Sequence, residues 1–282
     1  MPERPDLAWQ VPILRAEVCG RRLDGWRVKK PAVVRAVLRG SVEEEVVGST
    51  VTDVRRHGHF ICFDLDREVD LVVHPMLAGR FTVVEGQPKD RRELALALPL
   101  DDGRELRYRD SKTMGKVYVV PKGKAAAAIP NFAVGPDVLA QDFTFAAFRA
   151  IAKKRRDQAK IFLLDKAALD SFGNAYADET LFAAGVHPKA MVRSLSDEQL
   201  KDLYEAIRLV LSEAIAEVAS RRPPLDEKVR DFLKVRNRKG EPCPTCGAPV
   251  RVCGVRGHDA YFCAHCQPDG RSTGQVDWRR LR

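Results

Sequence analysis

The sequence predicts an α+β fold, and three observations support this prediction. Residues 30–120 contain short β-rich runs, such as 60–65, that are separated by turn residues. Residues 139–220 repeat apolar side chains at the spacing of helices, as between 203 and 218. The end of the chain carries two Cys-x-x-Cys pairs, a spacing typical of a small zinc ribbon. We therefore expect a β-rich part, a helical part and a metal-stabilised end, in that order along the chain.

The β-rich region predicts a mainly antiparallel sandwich or barrel. Runs at 69–73 and 117–120 continue the pattern, and Gly79 lies in a turn between runs. Ahead of this region, residues 3–19 place apolar side chains at helical spacing. Pro12 breaks that pattern, so we expect either a kinked helix or a helix that starts late.

Shifts in composition divide the chain into four parts. Residues 1–122 form the β-rich domain with its leading helix, and residues 123–138, with Gly, Ala and Pro, form a linker. Residues 139–224 form the helical domain, and residues 225–282 form a basic connector followed by the ribbon.

Two signals mark helix ends in the helical domain. Ser196 fits an N-cap, with the polar residue Gln199 three positions on. Gly185, followed by Pro188, fits the end of a helix and a stop. One helix is therefore expected to end near Gly185 and another to begin after Ser196.

Composition makes a polyanionic partner plausible. The 282-residue chain has a formal net charge of +9 at pH 7, although many basic proteins bind no nucleic acid. The chain contains no apolar run of about 18 residues, and its first residues lack the apolar stretch of a signal peptide. These features and the use of cysteine fit a reducing cytosol.

Two basic clusters carry part of this charge. One is 153–156, and the other comprises Lys234, Arg236, Arg238 and Lys239, which lead into the first cysteine pair. A solvated surface is the plain interpretation of either cluster. The second cluster leads into a zinc ribbon, and that position favours contact with phosphates.

The ribbon cysteines are Cys243, Cys246, Cys263 and Cys266, with 16 residues between the pairs. Such spacing lets four thiolates converge on one tetrahedral zinc ion. The alternatives are disulfide bonds or four unrelated buried thiols, which the missing signs of secretion disfavour. Four sulfur ligands leave no open position for water, so we expect one structural zinc ion. Cys253 lies outside both pairs and is expected to be a spare thiol.

A segment dense in polar groups, 171–188, lies inside the apolar helical region. Its residues 172–174 predict a tight turn, and residues 175–184 predict the following helix. The amides at that helix start could bind a phosphate, with Asn174 as an additional donor. The alternative is a capped helix hairpin in which Asn174 is a local cap.

Three separated segments resemble one enzyme family. They are the amino-terminal residues 1–6, the central segment 173–188, and residues 238–243 together with the ribbon. In order and separation they resemble the formamidopyrimidine-DNA glycosylase and endonuclease VIII family of base-excision repair enzymes. The resemblance implies an N-terminal helix plus an antiparallel β-sandwich domain, then a helix-two-turn-helix DNA-binding domain with a four-cysteine zinc ribbon.

The same resemblance gives the amino terminus a chemical role. In this family the initiator methionine is removed, and the new terminal proline, here Pro2, is the nucleophile. Its amine would attack the deoxyribose C1′, expel the damaged base and form a Schiff base that leads to strand cleavage by β,δ-elimination. Glu3 would protonate the opening sugar ring or shuttle protons. Without the resemblance both residues would be an ordinary helix start, and Pro2 cannot act while Met1 remains attached.

The family's DNA contacts fall on further residues. Asn174 and the ribbon would contact the phosphates around the lesion. Leu77, at the family's methionine position, or its neighbour Met76 would fill the gap left by the extruded base; packing in the sheet core is the alternative. His59 falls at the position of a phosphate-contacting lysine and His258 at that of a zinc-hairpin arginine, so we expect weaker binding of phosphate.

The connector also departs from the family. Between Phe232 and Arg238 it is too short for the long loop that covers 8-oxoguanine in many formamidopyrimidine-type members. This departure moves the expected substrate away from strict use of 8-oxoguanine. Oxidised pyrimidines, ring-opened purines and bare abasic sites all remain open.

The sequence therefore predicts a bifunctional DNA glycosylase and abasic-site lyase that acts on damaged double-stranded DNA. We expect a monomer with one structural zinc ion, without membrane association, in the cytoplasm at a bacterial nucleoid. The main alternative is a DNA-binding paralogue that recognises damage but cuts slowly or not at all. The histidines at positions 59 and 258, where the family has lysine and arginine, favour this alternative. A zinc-ribbon transcription or RNA-binding factor would not explain the Pro2-Glu3 start together with the central segment.

Overall fold

The structure, a computed structural model, has the α+β architecture that the sequence predicts, with a sandwich, a helical part and a cysteine ribbon. It describes residues 1–38, 40–86, 88–89, 92–170 and 172–268. Residues 269–282 of the expected ribbon region and Ser171 of the central segment lie outside the described residues. Within the described ranges, no helix combines the length and the apolar character that a membrane span requires.

Two sheets form the amino-terminal half. The strands in the described residues are β1 (Arg27–Val28), β2 (Val34–Ala36), β3 (Val51–His57), β4 (Phe60–Leu65), β5 (Val69–His74), β6 (Gly79–Glu85), β7 (Leu94–Pro99), β8 (Arg104–Asp110), β9 (Lys116–Pro121), β10 (Arg251–Val255) and β11 (His258–Phe262). The first nine pair in the orders β1-β7-β8-β6 and β2-β9-β5-β4-β3. All these pairs are antiparallel except β2 with β9. The region is therefore a sandwich, and the barrel alternative is wrong.

The main apolar core lies between the two sheets, and the first helix, α1 (Arg4–Val18), contributes to it. Leu7 and Leu14 of α1 are fully buried in one cluster with Phe63 and Leu106, which come from different sheets. Burial of each such side chain contributes roughly 1.5–3 kcal/mol. This packing fixes α1 on the sandwich and so determines where the chain begins.

Helix α1 runs through Pro12, so the expectation of a late helix start is wrong. Pro5 lies in the first turn, where the N–H that proline lacks would have no partner within the helix. Pro12 lies on the exposed side of the helix and removes one interior hydrogen bond. The buried face that includes Leu7 and Leu14 offsets this loss.

The carboxy-terminal half is mainly helical. Beyond α1, the helices are α2 (Val42–Val46), α3 (Ala125–Ala128), α4 (Phe145–Lys153), α5 (Ala159–Leu164), α6 (Asn174–Ala183) and α7 (Asp197–Arg221), with 3-10 turns at Pro31–Val33 and Val192–Ser194. Helices α4 to α7 enclose a second apolar core. Ser196 caps α7 in a reciprocal capping box with Gln199, and Gly185 follows α6 with a φ of +64°. Both helix ends are confirmed.

The segment 123–138 lies between the two halves and packs on the sandwich. After the short helix α3, Ile129 and Phe132 are buried in a small cluster with Phe60, on the face of the five-stranded sheet that points away from the main core. The ring of His57 stacks on Phe132, with 4.1 Å between centroids. The path of the chain from sandwich to helices is therefore set by apolar contacts.

Close packing holds the turn that connects β5 to β6. The hydroxyl of Tyr108 lies in a space left by two glycines. A Cβ atom added to Gly115 would lie 1.8 Å from this oxygen, and one added to Gly79 would lie 2.2 Å from it. The hydroxyl is buried and has no hydrogen-bond partner among the described residues. This contact supports the turn 75–78, which carries the two candidate wedge residues.

We expect Gly115→Ala to destabilise the protein by about 1–3 kcal/mol, because the added methyl group overlaps the hydroxyl of Tyr108. The double variant Gly115→Ala/Tyr108→Phe should recover part of the loss, since the overlapping oxygen is removed. The matched control is Gly254→Ala, whose methyl group meets nothing within 4 Å; it should change the free energy of unfolding by less than about 0.5 kcal/mol. Urea unfolding measures all three variants. Equal unfolding midpoints for Gly115→Ala and Gly254→Ala would contradict the close contact between Gly115 and Tyr108.

Candidate active site

Glu3 attaches the amino terminus of the chain to the start of α6. Its carboxylate accepts hydrogen bonds from the backbone amides of Gly173 (3.0 Å), Ala175 (3.1 Å) and Tyr176 (3.1 Å). Glu3 is only 6% exposed. A helix start offers unpaired N–H groups and the positive end of the helix dipole, and both stabilise a carboxylate. The two halves of the protein are therefore joined by a buried anion at a helix terminus.

The tight turn before α6 brings these amides to Glu3. A Cβ atom at Gly173 would lie 2.5 Å from Cδ of Glu3, so a larger residue would displace the carboxylate. The prediction that the amides of this helix start bind a phosphate is wrong for the three amides that Glu3 occupies.

Asn174 is the first residue of α6. Gly173 holds the cap position and the Glu3 carboxylate binds the amides of this helix start, so the alternative of Asn174 as a local cap is wrong. Asn174 is half-buried, and its Oδ1 atom has no hydrogen-bond partner in the described part of the chain. The Oδ1 atom of Asn174 is therefore a hydrogen-bond acceptor without a partner, and its neighbours Gly173 and Ala175 both bind Glu3.

Pro2 is buried, and the amino group ahead of it lies among cations. In the full-length chain this amino group belongs to Met1. Burial, and after it the charge of Lys228, lowers its pKa from 8.0 to about 5, while Glu3 acts in the opposite direction. An amine in this environment is neutral at pH 7, which is the form a nucleophile requires.

His59 lies beside Pro2 and is 1% exposed. Its Nδ1 atom is 3.2 Å from the carbonyl oxygen of Pro2, and its Nε2 atom is 3.0 Å from that of Phe172. Burial lowers the pKa of His59 to about 3, so the ring is neutral and donates to only one of the two carbonyls. The DNA contact expected of His59 stays a prediction. Its position favours a different role, in which it holds the backbones of Pro2 and Phe172 together.

Met76 and Leu77 lie side by side in the turn between β5 and β6. Leu77 is 56% exposed, so the alternative of packing in the sheet core is wrong for this residue. Met76 is half-buried, with a φ of +49°, and its amide donates to Nδ1 of His74 at 3.1 Å. Of the two candidates, Leu77 presents more apolar surface to a ligand.

The four ribbon cysteines converge next to the β10–β11 hairpin. Their Sγ atoms all lie within 4.8 Å of one another. The Sγ atoms of Cys243 and Cys266 are 3.8 Å apart, and those of Cys246 and Cys263 are 3.5 Å apart. A disulfide would require about 2.05 Å, whereas four sulfurs at about 2.3 Å around zinc lie about 3.8 Å from one another. The cluster therefore fits a four-coordinate zinc ion, and it does not include Cys253.

His258 is at the exposed tip of the hairpin. It begins β11 and pairs with Val255 across the turn formed by Arg256 and Gly257. Its side chain is open to solvent, which leaves the ring accessible to a ligand. This position is compatible with the expected contact to DNA.

Two further carboxylates of α6 hold the connector that leads to the ribbon. Glu179 accepts hydrogen bonds from the backbone amides of residues 234–236, at 2.7–2.9 Å. Asp178 pairs with Lys160 at 2.7 Å and with Arg236 at 2.8 Å, and the side chains of Asp178 and Lys160 are fully buried. Periodicity alone did not identify Lys160, because its position in a short apolar helix gave no sign of a buried ion pair.

The two basic clusters are partly neutralised inside the protein. In the first, Arg155 pairs with Asp157 and Asp165. In the second, Arg236 is bound by Asp178. The exposed members of the two clusters are Lys153, Lys154, Arg156, Lys234 and Lys239. Arg236 is bound by a fully buried carboxylate, so it could meet a polyanion only after that ion pair is broken. Lys153 pairs with the exposed Asp197 at 3.4 Å, and Arg238 pairs with the exposed Glu241 at 3.7 Å.

We expect Cys263→Ser to lose the metal, because a hydroxyl replaces one of four thiolate ligands. The bound zinc should fall from about one ion per chain to well below half, and affinity for DNA should fall with it. Cys253→Ser is the matched control, since Cys253 belongs to the same hairpin but not to the cluster; it should keep its zinc. Elemental analysis and DNA titration measure the two effects. Unchanged DNA binding in a zinc-free variant would contradict the expected role of the ribbon.

Comparisons with known proteins agree with this architecture. Residues 1–117 match the formamidopyrimidine-DNA glycosylase N-terminal domain, and residues 134–222 match the formamidopyrimidine-DNA glycosylase H2TH domain. Among curated relatives, the formamidopyrimidine-DNA glycosylase of Listeria innocua is 31% identical in an alignment of 273 residues that covers 95% of this chain and 100% of the relative. The formamidopyrimidine-DNA glycosylase of Bacillus subtilis is 30% identical in an alignment of 284 residues, gaps included, that covers 95% of this chain and 99% of the relative.

Solved structures show the same fold. Lactococcus lactis Fpg in complex with DNA containing an abasic site has a TM-score of 0.86 at 23% identity, over 95% of this chain and 100% of that one. MutM in complex with DNA containing carbocyclic 8-oxo-G has a TM-score of 0.86 at 24% identity, with the same coverage. Since relatives at 30% identity or more span nearly the whole chain, the protein belongs to the formamidopyrimidine-DNA glycosylase family.

Proposed function

We propose that this protein, after loss of Met1, is a bifunctional DNA glycosylase and abasic-site lyase with Pro2 as nucleophile and Glu3 as acid-base. One observation carries the proposal: a buried amino terminus lies beside a carboxylate that is fixed to the helical half. Burial favours the neutral form of an amine, which is the form a nucleophile requires. Membership of a DNA glycosylase family supports damaged double-stranded DNA as the substrate class.

The chemistry requires an unblocked secondary amine. The nitrogen lone pair of Pro2 would form a bond to C1′ of the damaged nucleotide as the bond from C1′ to the base breaks. The amine would lose its N–H proton to the departing base, and opening of the sugar ring, with a proton delivered to the ring oxygen, would leave an iminium ion. Loss of a proton from C2′ would then expel the 3′ phosphate, and a second elimination would expel the 5′ phosphate. Hydrolysis of the remaining iminium would release the sugar remnant and regenerate the amine.

Glu3 would carry protons in these steps. The three amide donors hold its carboxylate in one orientation next to Pro2, and a fixed orientation suits a group that transfers protons. Because Glu3 follows Pro2 directly, the same hydrogen bonds restrain the position of Pro2, which supports its proposed role as nucleophile. The contact between the two halves of the protein would therefore also orient the amine of Pro2.

A zinc ion held by the four ribbon cysteines would stabilise the hairpin that carries His258. The ribbon is attached to the end of α6, because the side chain of Gln267 donates to the carbonyl of Val186 at 2.9 Å. Asn174 lies at the other end of the same helix. The proposed contacts of Asn174 and His258 with DNA phosphates would then both be positioned by α6.

A second candidate function is damage recognition with little or no catalysis. The burial of His59 favours it, since the ring has no accessible donor for a phosphate at the position where the family has a lysine. The exposed His258 is also a weaker partner for phosphate than an arginine. Covalent trapping distinguishes this candidate from the bifunctional enzyme.

We expect the processed protein to form a covalent adduct with a duplex that contains an abasic site when borohydride is present, because reduction captures the Schiff base. The adduct should be lost in Pro2→Gly with Met1 removed, and also in a form that keeps Met1. Pro5→Ala, which changes a proline of the same helix without touching the terminal amine, is the matched control and should retain the adduct. Gel electrophoresis after reduction measures each yield. Tight binding of DNA without any adduct across several lesions would refute the enzymatic proposal and leave the second candidate.

We expect Leu77→Ala to weaken binding to abasic-site DNA by about tenfold, because an exposed leucine side chain filling a gap in the stack contributes about 1–2 kcal/mol. Met76→Ala should have a smaller effect, since Met76 is half-buried whereas Leu77 is exposed. Fluorescence of a base analogue opposite the lesion measures insertion, and titration measures affinity. A larger loss for Met76→Ala would assign the wedge to Met76 instead.

A further inference from the structure

A buried carboxylate in the first turn of α1 holds the backbone of Glu3. The backbone N–H of Glu3 donates to Oδ2 of Asp6 at 2.7 Å. Asp6 is only 3% exposed, and a carboxylate in such a place needs a nearby cation or several hydrogen-bond donors. The position of Glu3 therefore depends on the group that compensates the charge of Asp6.

The compensating cation is Arg230, which comes from the connector. Its Nη1 atom donates to Oδ1 of Asp6 at 2.9 Å, and its Nη2 atom donates to Oδ2. Two parallel hydrogen bonds between a guanidinium and a carboxylate fix the orientation of both groups. Because Oδ2 of Asp6 also accepts the N–H of Glu3, Arg230 holds the carboxylate that holds this backbone.

The same guanidinium contacts the start of α6. It lies 5.0 Å from the ring centre of Tyr176, and its Nη1 atom is 3.3 Å from the hydroxyl oxygen of that residue. Tyr176 is fully buried, and its backbone amide donates to Oε2 of Glu3 at 3.1 Å. Arg230 is therefore connected to Glu3 twice, through Asp6 to the backbone and through Tyr176 to the carboxylate.

The backbone that carries this guanidinium is attached to the sandwich half of the protein. We define residues 223–230 as the strap. The side chains of Trp9 and Gln10, both on α1, donate at 2.9 Å to carbonyl groups of the strap. Arg109 of β8 donates to Asp226 of the strap at 2.8 Å. Three side chains thus fix the path of the strap before it reaches the guanidinium.

The chain beyond the strap is attached to the helical half. Glu179 of α6 accepts the backbone amides of residues 234–236 at 2.7–2.9 Å. Arg230 therefore lies between two anchored stretches of the connector. Since its backbone is already restrained, its contact with Asp6 requires little further ordering of the chain.

Removal of the guanidinium would leave the carboxylate of Asp6 as a buried charge without compensation. Such a group either takes up a proton or turns toward water. Both changes weaken the acceptor that holds the N–H of Glu3. A misplacement of about 1 Å in a reacting group can slow a reaction by about a hundredfold. Arg230 thus influences the site without contact with the substrate.

We propose that Arg230 is a positioning residue that fixes the acid-base Glu3 by joining Asp6 at the start of α1 to Tyr176 at the start of α6. The inference rests on the proposed function, since it deepens the role of Glu3. It also gives the connector a second role, because the segment that leads to the ribbon then also orients a group that transfers protons.

The proposal is tested by the single-turnover rate of Schiff-base trapping on abasic-site DNA with saturating protein. The dissociation constant for the same DNA is measured separately, so that binding and chemistry are distinguished. The processed wild type is compared with Arg230→Met, Arg230→Lys and the double variant Asp6→Asn/Arg230→Met. Intact mass establishes loss of Met1 in every sample, and thermal unfolding establishes that each variant is folded.

Arg221→Met is the matched control. Arg221 pairs with Asp231 and lies 5.5 Å from the ring centre of Phe232, so it makes the same kinds of contact at the carboxy-terminal end of α7. The substitution also removes one positive charge, as Arg230→Met does. The control should therefore keep the wild-type rate at saturation.

Arg230→Met should lower the trapping rate at saturation by about tenfold or more, while the dissociation constant changes by less than about twofold. Arg230→Lys keeps the charge but loses the second hydrogen bond and the ring contact, so its rate should fall by about threefold. Asp6→Asn/Arg230→Met should be faster than Arg230→Met. Its asparagine leaves no buried charge, and the side-chain oxygen can still accept the N–H of Glu3.

A wild-type rate in Arg230→Met, with trapping intact in the wild type, would overturn the role of Arg230 and leave the proposed function standing. A loss of DNA affinity with an unchanged rate at saturation would do the same, because it would assign Arg230 to a DNA contact. A double variant no faster than Arg230→Met would refute the connection through Asp6.

Arg230→Lys carries the test if Arg230→Met does not fold, because it retains a cation for the buried carboxylate. A wild-type rate in Arg230→Lys would then overturn the positioning role. Absence of an adduct in the processed wild type would overturn the proposed function itself.

Discussion

The hydrogen bonds between the Glu3 carboxylate and the start of α6 are the interaction on which the rest of the structure depends. They join the third residue of the chain to amides about 170 positions away, and they bury both partners. Without the carboxylate, three buried N–H groups would lose their acceptor, at a cost of about 1–3 kcal/mol each. The contact therefore holds the sandwich and the helical half together and also fixes the proposed catalytic groups.

Helix α6 organises the molecule through its buried carboxylates as well as through its amides. Its start binds Glu3, and Glu179 on the same helix binds three backbone amides of the connector. Asp178 compensates the buried charge of Lys160 and also binds Arg236. An apolar helix could pack equally well, but it could not position the amino terminus, the connector and the ribbon relative to one another. These paired charges explain why so much polar surface lies inside a short helix.

Much of the architecture was predictable because it depends on local chemistry. The spacing of Cys243 and its three partners identified the four-cysteine cluster, since two short knuckles bring four thiols together in any such ribbon. Ser196 and Gly185 marked helix ends through their own hydrogen bonds and backbone angles. The expectation that the backbone amides at the start of α6 bind a phosphate was wrong for the three amides that bind Glu3, because that carboxylate comes from the other end of the chain. A pattern within a short stretch of sequence cannot identify a partner, such as Glu3, that lies about 170 positions away.

The sequence by itself determined the order of the parts, the four clustered cysteines and, through resemblance, the family. These features depend on the spacing and the type of the residues, both of which are known without the fold. Only the tertiary structure decided that His59 is buried, that Leu77 is exposed and that Glu3 binds the start of α6. Each of these facts depends on segments that are far apart in the chain. Burial and the distance between charges govern their chemistry, and both quantities exist only once the chain has folded.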